Sequence, residues 1–226
     1  MIPYRGGGFF TSLPPVIKNL VIINSLMLLL TFFAGNFMYE KFSLFYVESD
    51  LFSPYQFVTH MFMHGNFIHL FFNMYSLIIF GVVLEHVWGS QKFFLYYMVT
   101  GLGAAALHSL VLYIDYSAQV AAFEAGNQMA AIKMQEILMT PTVGASGAVY
   151  GVLLAYGMMF PNNVLQLIFP PVALKAKWFV LIFGAIELFL GISNTGGNIA
   201  HFAHLGGMLF GFILIKMWKK NNRMYF

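Results

Sequence analysis

Apolar stretches long enough to cross a bilayer recur along this chain, separated by short polar connectors. A crossing helix needs about 20 residues at 1.5 Å rise each. Six such runs are present: Val16 to Ala34, Phe67 to Trp88, Phe93 to Ile114, Val143 to Phe160, Trp178 to Ile192 (extended by its flanks) and Ile199 to Trp218. The pattern predicts an all-α, polytopic membrane protein with six transmembrane helices. Two connectors are long. Residues 35–66 carry Phe42, Phe45, Tyr46, Phe52 and Tyr55, which suits a loop lying partly in the interface. Residues 117–140 read as one short amphipathic helix, with Val120, Phe123, Met129, Ile132 and Leu138 among Gln and Glu. Both are read as surface cover for their neighbours. There is no internal repeat and no second domain. Residues 1–226 form one membrane domain with its core at 16–218, an N-terminal segment at 1–15 and a tail at 219–226. The N-terminus lacks a signal-peptide layout, since Arg5 is followed by Gly and Pro and no small-residue cleavage site follows the first run.

Composition sharpens this picture. Of 226 residues, 60% are hydrophobic and only 8% charged, against about 25% in soluble domains. A water-facing surface cannot be covered from so few polar groups. A net charge of +3 is too sparse for a nucleic-acid surface, and the absence of cysteine excludes disulfides, thiolate metal sites and a cysteine nucleophile. Six spans put both termini on one side. With that side cytoplasmic, it holds nine of the eleven basic residues, leaving Lys41 and Lys133 outside, which obeys the positive-inside rule. A multi-pass membrane protein with both termini cytoplasmic is expected; the short N-terminus with no appended soluble domain fits, by analogy, a bacterial inner membrane.

Polar groups inside spans are costly and therefore candidates for function. Counting up from the cytoplasmic ends at 1.5 Å per residue puts Ser146, His204, His69 and Asn73 in one layer, ~18–24 Å up a hydrocarbon core of ~30 Å. Pro141, Gly144 and Gly147 are poor helix-interior residues, so the fourth helix is expected to begin close to Ser146. A helix starting at depth leaves N–H groups that lipid cannot satisfy, which calls for a hydrated cavity and offers an anion site. A serine there can act as a nucleophile. The competing reading is that Ser and Gly merely let helices approach.

A nucleophilic serine needs a base within hydrogen-bond reach, and His204 is the choice. Gly207 and Gly211 follow it on nearly the same face, as Gly147 and Gly151 follow Ser146, so these two small-residue faces should bring spans 4 and 6 together. His201, a turn higher, is read as a rim residue hydrogen-bonded at the outer interface. His69 and Asn73 share a face at i, i+4. Both can donate to an oxyanion beside the Ser146 backbone N–H; alternatively they tie down the loop above.

These residues resemble those of the rhomboid family of intramembrane serine proteases over roughly Tyr55 to Trp218. Three blocks carry the resemblance: THMFMHGNFIHLFFNMYSLIIFG (Thr59 to Gly81), GASGAVYG (Gly144 to Gly151) and AHLGGMLFG (Ala203 to Gly211). Together, in this order and on these spans, they are highly specific. The resemblance implies hydrolysis of peptide bonds in or beside transmembrane helices of membrane-protein substrates. It makes Ser146 the nucleophile and His204 the general base, a dyad without a third acid. It makes His69, Asn73 and the Ser146 N–H the oxyanion donors, and Tyr150 the aromatic packed on the catalytic imidazole. His60 and His64 match histidines that hold the first outer loop, and Glu85 and Gly89 resemble the turn between spans 2 and 3. One departure is visible: many members carry Trp-Arg where this chain has Tyr55 and Gln56, so the loop lacks the arginine contacts.

Glu187 lies ~15 Å above Lys177 and could orient His204 as a triad acid. The family pattern does not require it, and a protonated or hydrogen-bonded structural glutamate is the preferred reading. His108 and His86 have weak claims. The expected mechanism has a substrate helix entering laterally between spans 2 and 5, with Ser193 to Asn198 as a lid. No cofactor is called for, and a histidine metal site is disfavoured because carboxylates at that depth are scarce. A monomer suffices for catalysis; the oligomeric state is open. The alternatives are an inactive rhomboid-like binder of membrane helices and a proton-coupled transporter using His69, His204 and Glu187. The latter is disfavoured by the lack of an inverted repeat.

Overall fold

The structure is a computed structural model that describes residues 12–166, 171–193 and 198–220. Its elements follow the apolar runs. Helix α1 spans Pro15–Phe42, with proline at its first position, where the missing N–H costs nothing. The short α2 (Gln56–Thr59) runs into a 3₁₀ turn at His60–Phe62. Helix α3 spans Phe67–Trp88 and carries a π-helical stretch at Leu77–Gly81. Helix α4 spans Ser90–Glu124, α5 Met129–Met139 and α6 Ser146–Met159. A hairpin of three-residue strands, β1 (Val164–Gln166) and β2 (Ala173–Lys175), pairs antiparallel with Leu165 opposite Leu174. Helices α7 (Ala176–Ile192) and α8 (Asn198–Lys220) complete the chain.

Among the described residues, four helices are long and apolar enough to cross a bilayer: α1, α3, α4 and the His201–Lys220 part of α8. Helices α6 and α7 fall short, at 14 and 17 residues. At ~1.5 Å per residue α6 covers ~21 Å. It can be short because protein surrounds it. Gly147, Ala148, Gly151, Val152, Ala155 and Gly157 are all buried, so most of its length packs against protein. Elsewhere the surface is lipid-like: Phe32, Phe33, Phe67, Phe72, Phe189 and Ile192 are exposed large apolar side chains.

The outer connectors differ from expectation. The first run ends in sequence at Ala34, yet α1 continues to Phe42 beyond a kink at Gly35, whose φ of 42° and ψ of −118° are open to glycine. The segment 117–140 is not one short helix. Its first part extends α4, about 52 Å long in all, as far as Glu124, and a turn at Gly126 (φ 95°) separates this from α5. Helix α5 covers a small apolar cluster of Tyr46, Leu112 and Ile137. The outer loop is held by Gln56. This side chain is fully buried, donates to the carbonyls of Glu40, Lys41 and Leu51 at 3.2, 3.4 and 2.9 Å, and accepts from the Ser53 and Phe45 N–H groups.

At the opposite end Glu85 fastens three helices. Its carboxylate accepts from the Val16 and Ile17 N–H groups, both at 2.9 Å, and from the Ser90 hydroxyl at 2.7 Å. Two of the orphan donors at the start of α1 are thereby satisfied by a charge that suits the helix dipole. Gly89, at φ 78°, makes the sharp turn from α3 into α4.

The glycine faces work differently from the sequence reading. Gly207 does press on Gly147, joining α8 to α6. Gly151 and Gly211, expected to extend that same contact, instead both make room for α4: a Cβ on Gly151 would strike Thr100, and one on Gly211 would strike the Tyr96 hydroxyl. Gly147 likewise faces Ala104. Helix α4 therefore supports the α6–α8 pair from behind.

Candidate active site

Ser146 opens α6, as the weak helix formers before it imply. The preceding strand-like segment is fixed on both sides. Leu44 and Thr142 exchange backbone hydrogen bonds of 2.9 and 2.8 Å, and the Gly144 N–H donates to the His60 carbonyl at 2.9 Å. Gly144 has φ 130°, which L side chains rarely adopt. Helix α6 has no side-chain N-cap, so no capping side chain takes its first N–H groups, and the positive end of the helix dipole lies at Ser146.

Helix α8 brings His204 to this point. The His204 Nε2 lies 2.9 Å from Ser146 Oγ. Its ring stacks on Tyr150, with centroids 4.2 Å apart and planes 7° from parallel. On the other side of the ring, Nδ1 is 2.9 Å from Glu187 Oε2. A carboxylate accepts only, so the network assigns the proton to Nδ1 and leaves Nε2 to accept from the Ser146 hydroxyl. His201 Nδ1 donates to the same Glu187 oxygen at 2.7 Å, and the Tyr150 hydroxyl donates to Oε1 by a short hydrogen bond. Glu187 itself is buried.

Glu187, expected as a protonated or hydrogen-bonded structural glutamate with a triad acid as the alternative, is hydrogen-bonded to the candidate base, the stacked tyrosine and His201. His201 keeps a hydrogen bond, though to this inner carboxylate and not to an outer-interface group. The scarcity of carboxylates at this depth does not hold either. Glu187, His201 and His204 offer ligand atoms within 4.8 Å of one another and could hold a metal ion. Their N···O separations of 2.7 and 2.9 Å are those of direct hydrogen bonds.

His69 reaches the serine from α3. Asn66 caps that helix by accepting from the His69 N–H at 2.8 Å. A Cβ on Gly144 would lie 2.9 and 3.0 Å from His69 Cε1 and Nε2 and 3.6 Å from Ser146 Oγ, so the ring edge occupies the space next to the hydroxyl. His64 meets His69 edge-on at 5.0 Å. Asn73, one turn further along α3, is buried and donates one amide hydrogen to the His69 carbonyl at 3.0 Å.

Behind the pair lies a cavity of about 50 Å³. It is bounded by Ser146 and His204 and by His60, His108, Thr142 and Gly101. Water needs ~10–15 Å³ on this measure and a few polar partners, which this cavity supplies. His108, weak in the sequence reading, is buried here and hydrogen-bonded to the Thr142 hydroxyl at 2.7 Å. Outside the membrane runs, burial pushes the imidazoles of His60 and His64 down to about 4; next in weight, a backbone carbonyl partner opposes this in His60 and the nearby His69 adds to it in His64. The expected lid falls largely on residues 194–197, outside the described residues.

Helices that gather a serine, an imidazole and a buried carboxylate within a lipid-facing bundle describe a polytopic membrane protein with a polar site inside it. Comparison with known proteins agrees. The family model described as the rhomboid domain matches residues 51–220, and the chain belongs to the rhomboid family. It is 31% identical over 157 residues to RHOMBOID-like protein 6, mitochondrial, of Arabidopsis thaliana, covering 70% of this chain and 41% of that protein. It is 30% identical over 151 residues to Rhomboid protein 1, mitochondrial, of Saccharomyces cerevisiae, covering 66% and 38%. It is 27% identical over 157 residues to Rhomboid protease AarA of Providencia stuartii, covering 68% and 52%. The chain thus spans about two-fifths to one-half of these relatives. It is a multi-pass membrane protein.

Proposed function

We propose that this chain is an intramembrane serine endopeptidase that cuts peptide bonds in or next to transmembrane helices of membrane-protein substrates. The observation that carries the reading is the 2.9 Å approach of Ser146 Oγ to His204 Nε2, at a helix N-terminus beside a cavity. The Ser146 oxygen attacks a substrate carbonyl carbon while its proton passes to His204 Nε2. The carbonyl π electrons become the oxyanion. That charge is met by the Ser146 N–H, His69 and the remaining amide hydrogen of Asn73. His204 then gives the proton to the leaving amine, and a water from the cavity cleaves the acyl ester by the same route.

Helices α1, α3, α4, α6, α7 and α8 are the six spans of this reading, with α6 and α7 counted as spans despite their length. Both termini face the cytoplasm of a bacterial inner membrane, and substrate enters between α3 and α7. These two helices meet through Phe80 and Phe179, whose centroids are 6.2 Å apart.

The test is reconstitution of the full chain with a helical reporter substrate, together with a fluorophosphonate probe. Wild type should cleave the reporter and be labelled on Ser146. Ser146→Ala should abolish both, and His204→Ala should reduce cleavage by at least about 10³. Cleavage surviving Ser146→Ala would overturn the assignment. An unlabelled wild type that still captures the helix would point to an inactive binder.

A further inference from the structure

The hydrogen bonds around His204 extend past the two residues that perform the proposed chemistry. We infer that Glu187 is a positioning residue for His204, completing a Ser146–His204–Glu187 triad inside the membrane; the inference rests on the protease reading above. Three observations carry it. Glu187 Oε2 takes the Nδ1–H of His204 at 2.9 Å, on the opposite side of the ring from the 2.9 Å contact to Ser146. Glu187 Oε1 takes the hydroxyl of Tyr150, the same residue whose ring lies flat against His204. The carboxylate is buried on α7, a different helix from either partner, so it ties α6 and α8 together at the level of the chemistry.

Each contact removes a freedom that would cost rate. An imidazole on one χ1 and one χ2 can rotate its Nε2 away from the serine. The stacked tyrosine limits tilt, and the carboxylate limits rotation. The neutral imidazole also has two tautomers, and only Nδ1–H leaves Nε2 able to accept the serine proton. The carboxylate selects that tautomer. During attack the Ser146 proton moves to Nε2, Nδ1 keeps its own proton, and Glu187 remains unprotonated beside the imidazolium formed. His201 donates to the same oxygen at 2.7 Å. It supplies a third donor to the buried charge, which limits the cost of burying a carboxylate.

The experiment compares wild type, Glu187→Gln and Glu187→Asp as full chains in detergent, measuring kcat, KM and the rate of fluorophosphonate labelling. In Glu187→Gln, kcat and labelling should both fall by at least about 100-fold while KM stays within about threefold, because only the orientation of the base has changed. Glu187→Asp should recover part of the loss. A Gln variant with kcat within about threefold of wild type, or one impaired through KM alone, overturns the role. Should the variants not fold, wild type with ¹⁵N-labelled histidine still decides. The signals missing from a His204→Gln spectrum should show a protonated Nδ1 and a bare Nε2, and the reverse tautomer overturns the inference. Wild type that fails to label on Ser146 sinks the protease reading instead, so the two failures are distinguishable.

Discussion

At the scale of single residues, the site depends on atoms that have no room to shift. Gly144 shows this best. Its φ of 130° and the His69 ring at 2.9 Å from a would-be Cβ make any side chain doubly unfavourable. Gly144→Ala should push His69 off the space beside Ser146 and lower kcat by about 10²–10³, the usual loss for one oxyanion donor. A reporter-cleavage assay checks this, and fluorophosphonate labelling of the variant separates a lost donor from a misplaced nucleophile. Gln56 makes the complementary point. An uncharged amide gathers five backbone groups, two at the end of α1 and three in the loop, so the loop needs no buried cation. Gln56→Ala leaves those groups without partners, and the variant should lose about 2–3 kcal/mol of stability, read as a lower thermal midpoint in detergent.

Between elements, the decisive contacts are backbone against backbone. A Cβ on Gly207 would sit 2.7 Å from the Gly147 carbonyl carbon and closer still to its oxygen. No rotamer change relieves a clash with main chain. Gly207→Ala should therefore separate α8 from α6, lowering the thermal midpoint and removing activity together, because Ser146 and His204 ride on those two helices. Glu85 gives a contrast. Glu85→Ala strips partners from two N–H groups of α1 and from Ser90, and should cost about 3 kcal/mol of stability. The site stands at the other end of α3, so kcat measured well below the melting temperature should stay near wild type. Parallel melting and kinetic measurements on the two variants test the difference.

Taken as a whole, the molecule buries polar groups outside the lipid as well as within it. His60 and His64 lie in the loop between α1 and α3, and burial holds both near 4. An unfolded chain would take up those protons near 6.5. The unfolded state thus binds more protons below that value, and stability should be fully present above pH 6.5 and decline as the pH falls towards 4. The loss is at most roughly 3 kcal/mol for each imidazole. Denaturation midpoints between pH 7.5 and 4 measure it, and His60→Asn should flatten the slope.

The sequence alone determined that this is a helical, multi-pass membrane protein, because lipid tolerates few polar residues and a crossing run of apolar ones must be about one bilayer long. The second run, Phe67 to Trp88, coincides with α3. The start of α6 near Ser146 was legible because proline and glycine interrupt helices by local sterics. Depth counting placed Ser146, His204, His69 and Asn73 in one layer, since the helical rise converts residue number into height. Height, however, carries no information on which side chains face one another across a bundle. Only the tertiary structure decided that Gly151 and Gly211 serve α4, that Gln56 fastens the outer loop, and that Glu187 reaches His204, His201 and Tyr150. Those pairings depend on the rotation and crossing of whole helices, which are set by packing against every neighbour at once.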